Sequence, residues 1–149
     1  METKKIGAGI LAIDKQTGDL LLGRRSMQSD NPGTWSPFGG TFEVKDISTK
    51  QTAKREFSEE TGSNINYQIS SSPFVVQDTP KVTFYTYIGL FDNKFQPSID
   101  REHLSFGWFP IDSLPQNLHP GFADLIRQKK TELENIIIKT KEENEAQKG

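Results

Sequence analysis

The stretch "STKQTAKREFSEETG", residues 48 to 62, constrains this chain more than any other. Ser48 followed three residues later by Gln51 is a capping-box pattern, so a helix is predicted to begin there. Gly62 stands where a left-handed residue ends a helix, which sets the segment at about 48 to 61. At about 100° per residue, Glu56, Glu59 and Glu60 fall within one arc of roughly 100°, with Arg55 at its edge beside Glu59. Ala53 and Phe57 lie on the adjoining side and can anchor the helix to a core. Lys50, Lys54 and Ser58 point toward solvent.

Stability alone would not select such a helix. Like charges at helical neighbour spacing cost a few tenths of a kcal/mol per pair. Glu59 and Glu60 also lie near the C-terminal end, where the helix dipole disfavours anions. A divalent cation would resolve the conflict, because Mg²⁺ takes carboxylate oxygens and keeps room for water and substrate phosphates. Arg55 could pair with one carboxylate and fix its orientation. On the "REFSEE" residues alone, a solvated charged face with one internal ion pair fits equally well.

The rest of the chain is read as follows. Residues 5 to 13, "KIGAGILAI", are predicted as a strand, with Gly7 and Gly9 allowing close approach of a neighbour. "DKQTGD" is turn chemistry and "LLLGRR", residues 20 to 25, is a second strand, so the pair forms a hairpin. Residues 26 to 35 form a loop; 65 to 76, 81 to 91 and 104 to 111 are further strands. A second helix runs from Pro120 to about Lys141, with Phe122, Leu125, Ile126, Leu133, Ile136 and Ile137 at helical spacing. The polar residues 142 to 149 are expected to fray. This is one domain, residues 1 to 141, of α+β class: an α/β/α sandwich with a mixed sheet between helices.

Composition narrows the function. With 18 basic and 20 acidic side chains, no general nucleic-acid surface is expected. The absence of cysteine excludes disulfides, thiolate catalysis and cysteine zinc sites. The apolar run near the N-terminus is too short for a signal peptide or a membrane span, so the expected compartment is the cytoplasm.

Gly40, five residues, Asp46, then "REFSEETG" resembles the signature box of the Nudix hydrolases. That box reads Gly, five residues, Glu, seven residues, Arg-Glu, a hydrophobic, any residue, Glu-Glu, any residue, Gly, a hydrophobic. "NPGTWSPFGG" before it, and "REHLSFGWFPIDSLP" and "LHPGF" after it, are similar to the family more loosely. The departures are Asp46 for the first Glu, eight residues before Arg55 where the pattern has seven, Lys45 and Phe38 for a common glycine and proline, and Ser63 for a hydrophobic residue. The extra residue is assigned to the loop before Ser48, which can absorb it at little cost.

The resemblance implies hydrolysis of a diphosphate linked to another moiety, with a nucleoside triphosphate or nucleotide sugar favoured and Mg²⁺, or else Mn²⁺, as cofactor. It implies Glu56 and Glu60 as metal ligands, Glu59 as auxiliary ligand or base, and the backbone carbonyl of Gly40 as a further ligand. Arg55 orients a carboxylate, and Gly39 lets the backbone approach the substrate. Glu102 is the candidate for a base on a later loop; the alternative is a solvated loop charge. His103 and His119 are weaker candidates. Trp35 could stack on a base and Arg24 reach a phosphate, with core packing and surface charge as their plainer roles. The implied partner is a small nucleotide-type substrate with no membrane, and a homodimer is left open. A nucleotide-binding sensor that lost turnover is the alternative function.

Overall fold

Strand β1 (Lys5–Asp14) is buried without interruption from Gly7 to Asp14. A continuous buried run means that both faces of the strand are covered. Successive side chains point to opposite faces. Ala8, Ile10 and Ala12 pack with Ala53 and Phe57 of helix α1 (Thr49–Thr61). Leu11 and Ile13 pack with Phe122, Leu125, Leu133 and Ile137 of helix α2 (Pro120–Lys148). The computed structural model, which describes residues 4–99 and 101–148, therefore has the expected α/β/α layering, with a separate apolar core on each face of the sheet.

The sheet is mixed and eight-stranded. β1 runs parallel to β7 (Val82–Phe91) and antiparallel to β2 (Leu20–Arg25) and β4 (Phe38–Thr41). β3 (Trp35–Ser36) and β8 (His103–Phe109) pair with β2. β5 (Gln68–Ile69) and β6 (Val75–Asp78) pair with β7. The expected β1–β2 hairpin is present. Asp14 accepts hydrogen bonds from Thr17 in its turn, and Gly18 supplies the positive φ of 80°.

Several boundaries differ from expectation. Residues 65 to 76 do not form one strand, because "SSSP" at 70 to 73 interrupts it and Pro73 has no N–H for a ladder. The last strand stops at Phe109, before Pro110, and a short 3-10 turn follows at Ile111–Ser113. Helix α2 continues through Lys148, taking in residues 142 to 148 that were expected to fray. The helix leaves the core after Thr140, and apart from Asn144 its last turns are built from Glu, Ala, Gln and Lys, which are strong helix formers. Surface pairs Lys139–Glu143 at 4.0 Å and Lys148–Glu145 at 3.5 Å add little to that.

Candidate active site

Helix α1 begins and ends as its sequence requires. Ser48 is extended, at φ −153° and ψ 167°, and its Oγ accepts from the Gln51 N–H at 3.2 Å. The Gln51 side chain reaches back to the Ile47 N–H, one residue beyond the usual partner. Gly62 ends the helix at φ 66°, donating to the Ser58 carbonyl at 2.9 Å. The first turn holds no acid and the last turn no base, the reverse of what the dipole favours.

Phe57 sets the rotation of the helix. Its ring is buried against Phe38, Tyr67, Phe91 and Phe95. With Phe57 turned into the core, Glu56 faces β4 and Glu60 is buried toward β8, whereas the Glu59 side chain stays 55% exposed.

Arg55 ties the acids together. Its Nε and Nη2 donate to the two oxygens of Asp46, both at 2.9 Å. Nη2 also donates to the Thr41 carbonyl at 3.1 Å. Nη1 donates to Glu56 at 2.9 Å and lies 3.3 Å from Glu59 Oε2. A planar guanidinium can serve this many acceptors at once, which a lysine cannot. Asp46 thus reaches Arg55 despite its shorter side chain and the extra loop residue. It also accepts from Thr52 Oγ1 at 2.8 Å and from the Glu43 N–H at 3.0 Å. These bonds, those of Arg55 foremost, hold the Asp46 carboxyl well below the usual carboxylate range against the opposing effect of its burial. Arg55 is correspondingly pushed up, first by the bonds it donates to Asp46.

Glu56 behaves differently. Burial raises its pKa, the Arg55 hydrogen bond opposes that rise, and the charges of Glu59 and Glu102 add to it. Glu102, which precedes β8, is therefore near enough to act electrostatically on Glu56, although its own residue is exposed.

The paired glycines explain how a carboxylate fits here. A Cβ at Gly40 would lie 2.2 Å from Glu56 Oε2 and 2.3 Å from its Cδ, so the Glu56 carboxylate occupies the space that a side chain would take. Gly39 faces the other side, where a Cβ would lie 3.0 Å from the Phe84 ring. The register corrects one expectation. Phe42 N–H donates to the Ile6 carbonyl at 2.8 Å. Antiparallel pairs alternate between bonded and non-bonded. Ala8–Gly40 is then a bonded pair and Gly9–Gly39 a non-bonded one. The Gly40 carbonyl faces Ala8 within the ladder, and the carbonyl that points out of the ladder belongs to Gly39.

Trp35 and Arg24 lie apart from the acids. They are cross-strand partners on β3 and β2. Trp35 packs against Phe109 at 5.1 Å and joins the core on the α2 face, opposite to Glu56 and Glu60. Arg24 Nε donates to the Gly33 carbonyl at 3.1 Å and Arg25 Nε to the Asp30 carbonyl at 2.8 Å, so both arginines hold the 26–34 loop. His119 sits beside Trp35, accepting from the Gly121 N–H at Nδ1, and burial followed by the Arg25 charge lowers its pKa. The expected strand begins at 104, whereas His103 opens β8 and lies against Glu60. Thr52 and the Thr41 carbonyl had no signal in the sequence, since both act only through folded contacts with Asp46 and Arg55.

Among the described residues, no three acidic or histidine side chains already converge on one point. The donors nonetheless suit Mg²⁺, which binds through one or two carboxylates and leaves its remaining positions to water and substrate phosphates. Glu56 in its glycine cradle, the buried Glu60 and the outward Gly39 carbonyl are the oxygen donors that could hold it.

The family profile described as NUDIX domain matches residues 3–129. A search of curated proteins finds no match. Among solved structures, the chain is similar to the Nudix hydrolase RenU from M. smegmatis, at 21% identity over 91% of this chain and 89% of that one, with a TM-score of 0.76. It is also similar to a MutT protein from Methanosarcina mazei, at 23% identity, 89% and 97% coverage and a TM-score of 0.68. A C. elegans Ap4A hydrolase matches at 18% identity, 88% and 98% coverage and a TM-score of 0.69. Among the described residues, no helix is long and apolar enough to cross a membrane.

Proposed function

Because the chain belongs to the NUDIX family, and so to the hydrolases of phosphorus-containing anhydrides, we propose that it uses Mg²⁺ to cleave a diphosphate joining a nucleoside to a second group. The observation that carries this reading is the Glu56 carboxylate seated over Gly40, with Glu60 buried one turn further along the same helix. Mn²⁺ has the same preference for oxygen donors and is the expected substitute.

In this reading Glu56, Glu60 and the Gly39 carbonyl hold the cation. When bound, it neutralises pyrophosphate charge and lowers the pKa of a coordinated water. Arg55 keeps Glu56 turned toward Gly40 and is itself fixed by the two bonds to Asp46. Glu59 is exposed at the rim and is available as an auxiliary ligand or base. Glu102, whose charge reaches Glu56, is the second candidate base. Trp35 and Arg24 are engaged on the opposite face and take no part in this reading. The favoured substrates are nucleoside triphosphates and nucleotide sugars, since a single small domain favours a compact pocket.

The test is ³¹P NMR of the protein with Mg²⁺ and a panel of nucleoside triphosphates, nucleotide sugars, ADP-ribose and dinucleotides. Product signals from a cleaved pyrophosphate support the reading and name the substrate. Intact substrates across the panel, with Mg²⁺ still bound, would replace it with a nucleotide-binding sensor. Glu60→Gln should abolish turnover while leaving the fold unchanged.

A further inference from the structure

His103 does not lie where strand alternation would put it. On β8, Phe106 and Trp108 pack on the α1 face and Phe109 on the α2 face. Counting back by twos, an odd-numbered residue such as His103 belongs with Phe109. The β2–β8 register shifts between Arg24 and Arg25, from Arg24↔Ser105 to Arg25↔His103. Leu104 is the extra residue of this bulge, and it is 47% exposed. The bulge turns His103 onto the α1 face, a use of bulges that recurs beside active sites.

A slot receives the ring there. A Cβ at Gly23 would lie 2.6 Å from Phe38 Cζ and 2.9 Å from His103 Cδ2, so only glycine leaves room for both rings. Phe38 stands against His103 with ring centroids 4.7 Å apart, and its other neighbour is Phe57. The slot aims His103 Nε2 at Glu60 Oε2, 3.8 Å away, with the two side chains 5% and 6% exposed. A bulge, a glycine and a phenylalanine all act on one imidazole. Packing alone would be served by an apolar side chain.

We propose that His103 is the positioning residue for Glu60, holding its carboxylate in the orientation that receives the metal ion. The proposal rests on Glu60 being a metal ligand. Outer partners of ligating groups fix ligand orientation, and losing one costs about 10- to 100-fold in metal affinity or activity.

The experiment is a Mn²⁺ titration followed by electron paramagnetic resonance, on wild type and on His103→Phe, His103→Gln and Glu60→Gln, with a thermal melt of each. His103→Phe should bind Mn²⁺ about 10- to 100-fold more weakly while melting near wild type, and His103→Gln, which keeps an N–H donor, should recover most of the affinity. His103→Phe binding Mn²⁺ as wild type does would overturn the proposal. Should His103→Phe fail to fold, the ¹⁵N resonance of the wild-type His103 ring decides: a shift on adding Mg²⁺ supports the proposal, and no shift overturns it. Glu60→Gln separates the two levels. If it binds Mn²⁺ normally, the ligand assignment itself fails. If it loses Mn²⁺ while His103→Phe does not, only the positioning role fails.

Discussion

Replacing Gly40 with alanine isolates the glycine cradle from the rest of the site. The new Cβ would meet Glu56 Oε2 at 2.2 Å, Cδ at 2.3 Å and Cγ at 2.8 Å, where ordinary contact begins at 3.4 Å. Glu56 must therefore withdraw its carboxylate by more than about 1 Å. The atoms displaced are the end of a flexible side chain, and Gly40 has no positive φ that alanine could not adopt. The fold should survive, aided by the lower chain entropy of alanine in the unfolded state, worth about 0.4–1 kcal/mol. Catalysis should not, because a misplacement of about 1 Å can cost about 100-fold. The assay is kcat and KM on the substrate identified by ³¹P NMR, alongside a thermal melt. A double-mutant cycle with Glu56→Gln adds the decisive control: once Glu56 can no longer serve as a charged ligand, Gly40→Ala should cost little more. Full activity in Gly40→Ala would refute the reasoning, since it would mean that the seat of Glu56 over the strand has no bearing on turnover. A collapse in melting temperature would refute it differently, by showing that the cradle is structural.

Arg55→Lys keeps the charge but cannot bridge Asp46 and Glu56 together; activity should fall about 10- to 100-fold, and unchanged kinetics would remove Arg55 as the orienting group. Asp46 gives the chain an acid-sensitive contribution. Its folded pKa lies below the unfolded value, so its stabilisation is complete above about pH 4 and is lost as pH falls through the folded value. In urea unfolding at decreasing pH, Asp46→Asn should start less stable and lose less below pH ~4 than wild type; parallel curves would contradict that assignment. Phe57→Ala removes a buried ring that touches four other aromatics and should cost about 3–5 kcal/mol in urea unfolding. A loss under 1 kcal/mol would mean that Phe57 does not set the rotation of α1.

The sequence made α1 legible because its signals are local. Ser48, Gln51 and Gly62 act within one turn of themselves, and the charge pattern needs only the 3.6-residue period. The two-sided burial of β1 could be read from an apolar run too continuous for a half-exposed strand. Features that depend on strand pairing were not legible. Which of Gly39 and Gly40 offers its carbonyl depends on the β1–β4 register, and one residue of register reverses the answer. His103 is invisible to alternation for the same reason, because a bulge at Leu104 changes its face. Chemical type alone points to Trp35 and Arg24, but the sheet faces α2 at those positions. The polarity of residues 142 to 148 says that they are solvated and not whether they are helical.

Asp46 in place of glutamate and the eight-residue spacing before Arg55 are the features of the box that argue for lost turnover, and their placement weakens that argument. Asp46 closes a tight turn with Glu43: the Asp46 N–H donates to the Glu43 carbonyl at 2.9 Å, and the Glu43 N–H donates to the Asp46 carboxylate at 3.0 Å. Inside that turn the Asp46 side chain is 2% exposed, while Val44 is fully exposed and Ile47 is 88% exposed. The loop therefore sends its surplus outward, and the carboxylate keeps both oxygens on Arg55. Two β-branched apolar side chains left in water are a small, local cost, since single exposed hydrophobes are ordinary on protein surfaces. Had the extra residue entered α1 instead, the residues before it would have turned by about 100° relative to the face that carries Glu56. The sensor alternative thus has no support from the position of Asp46. It stands or falls on whether a bound diphosphate is cleaved.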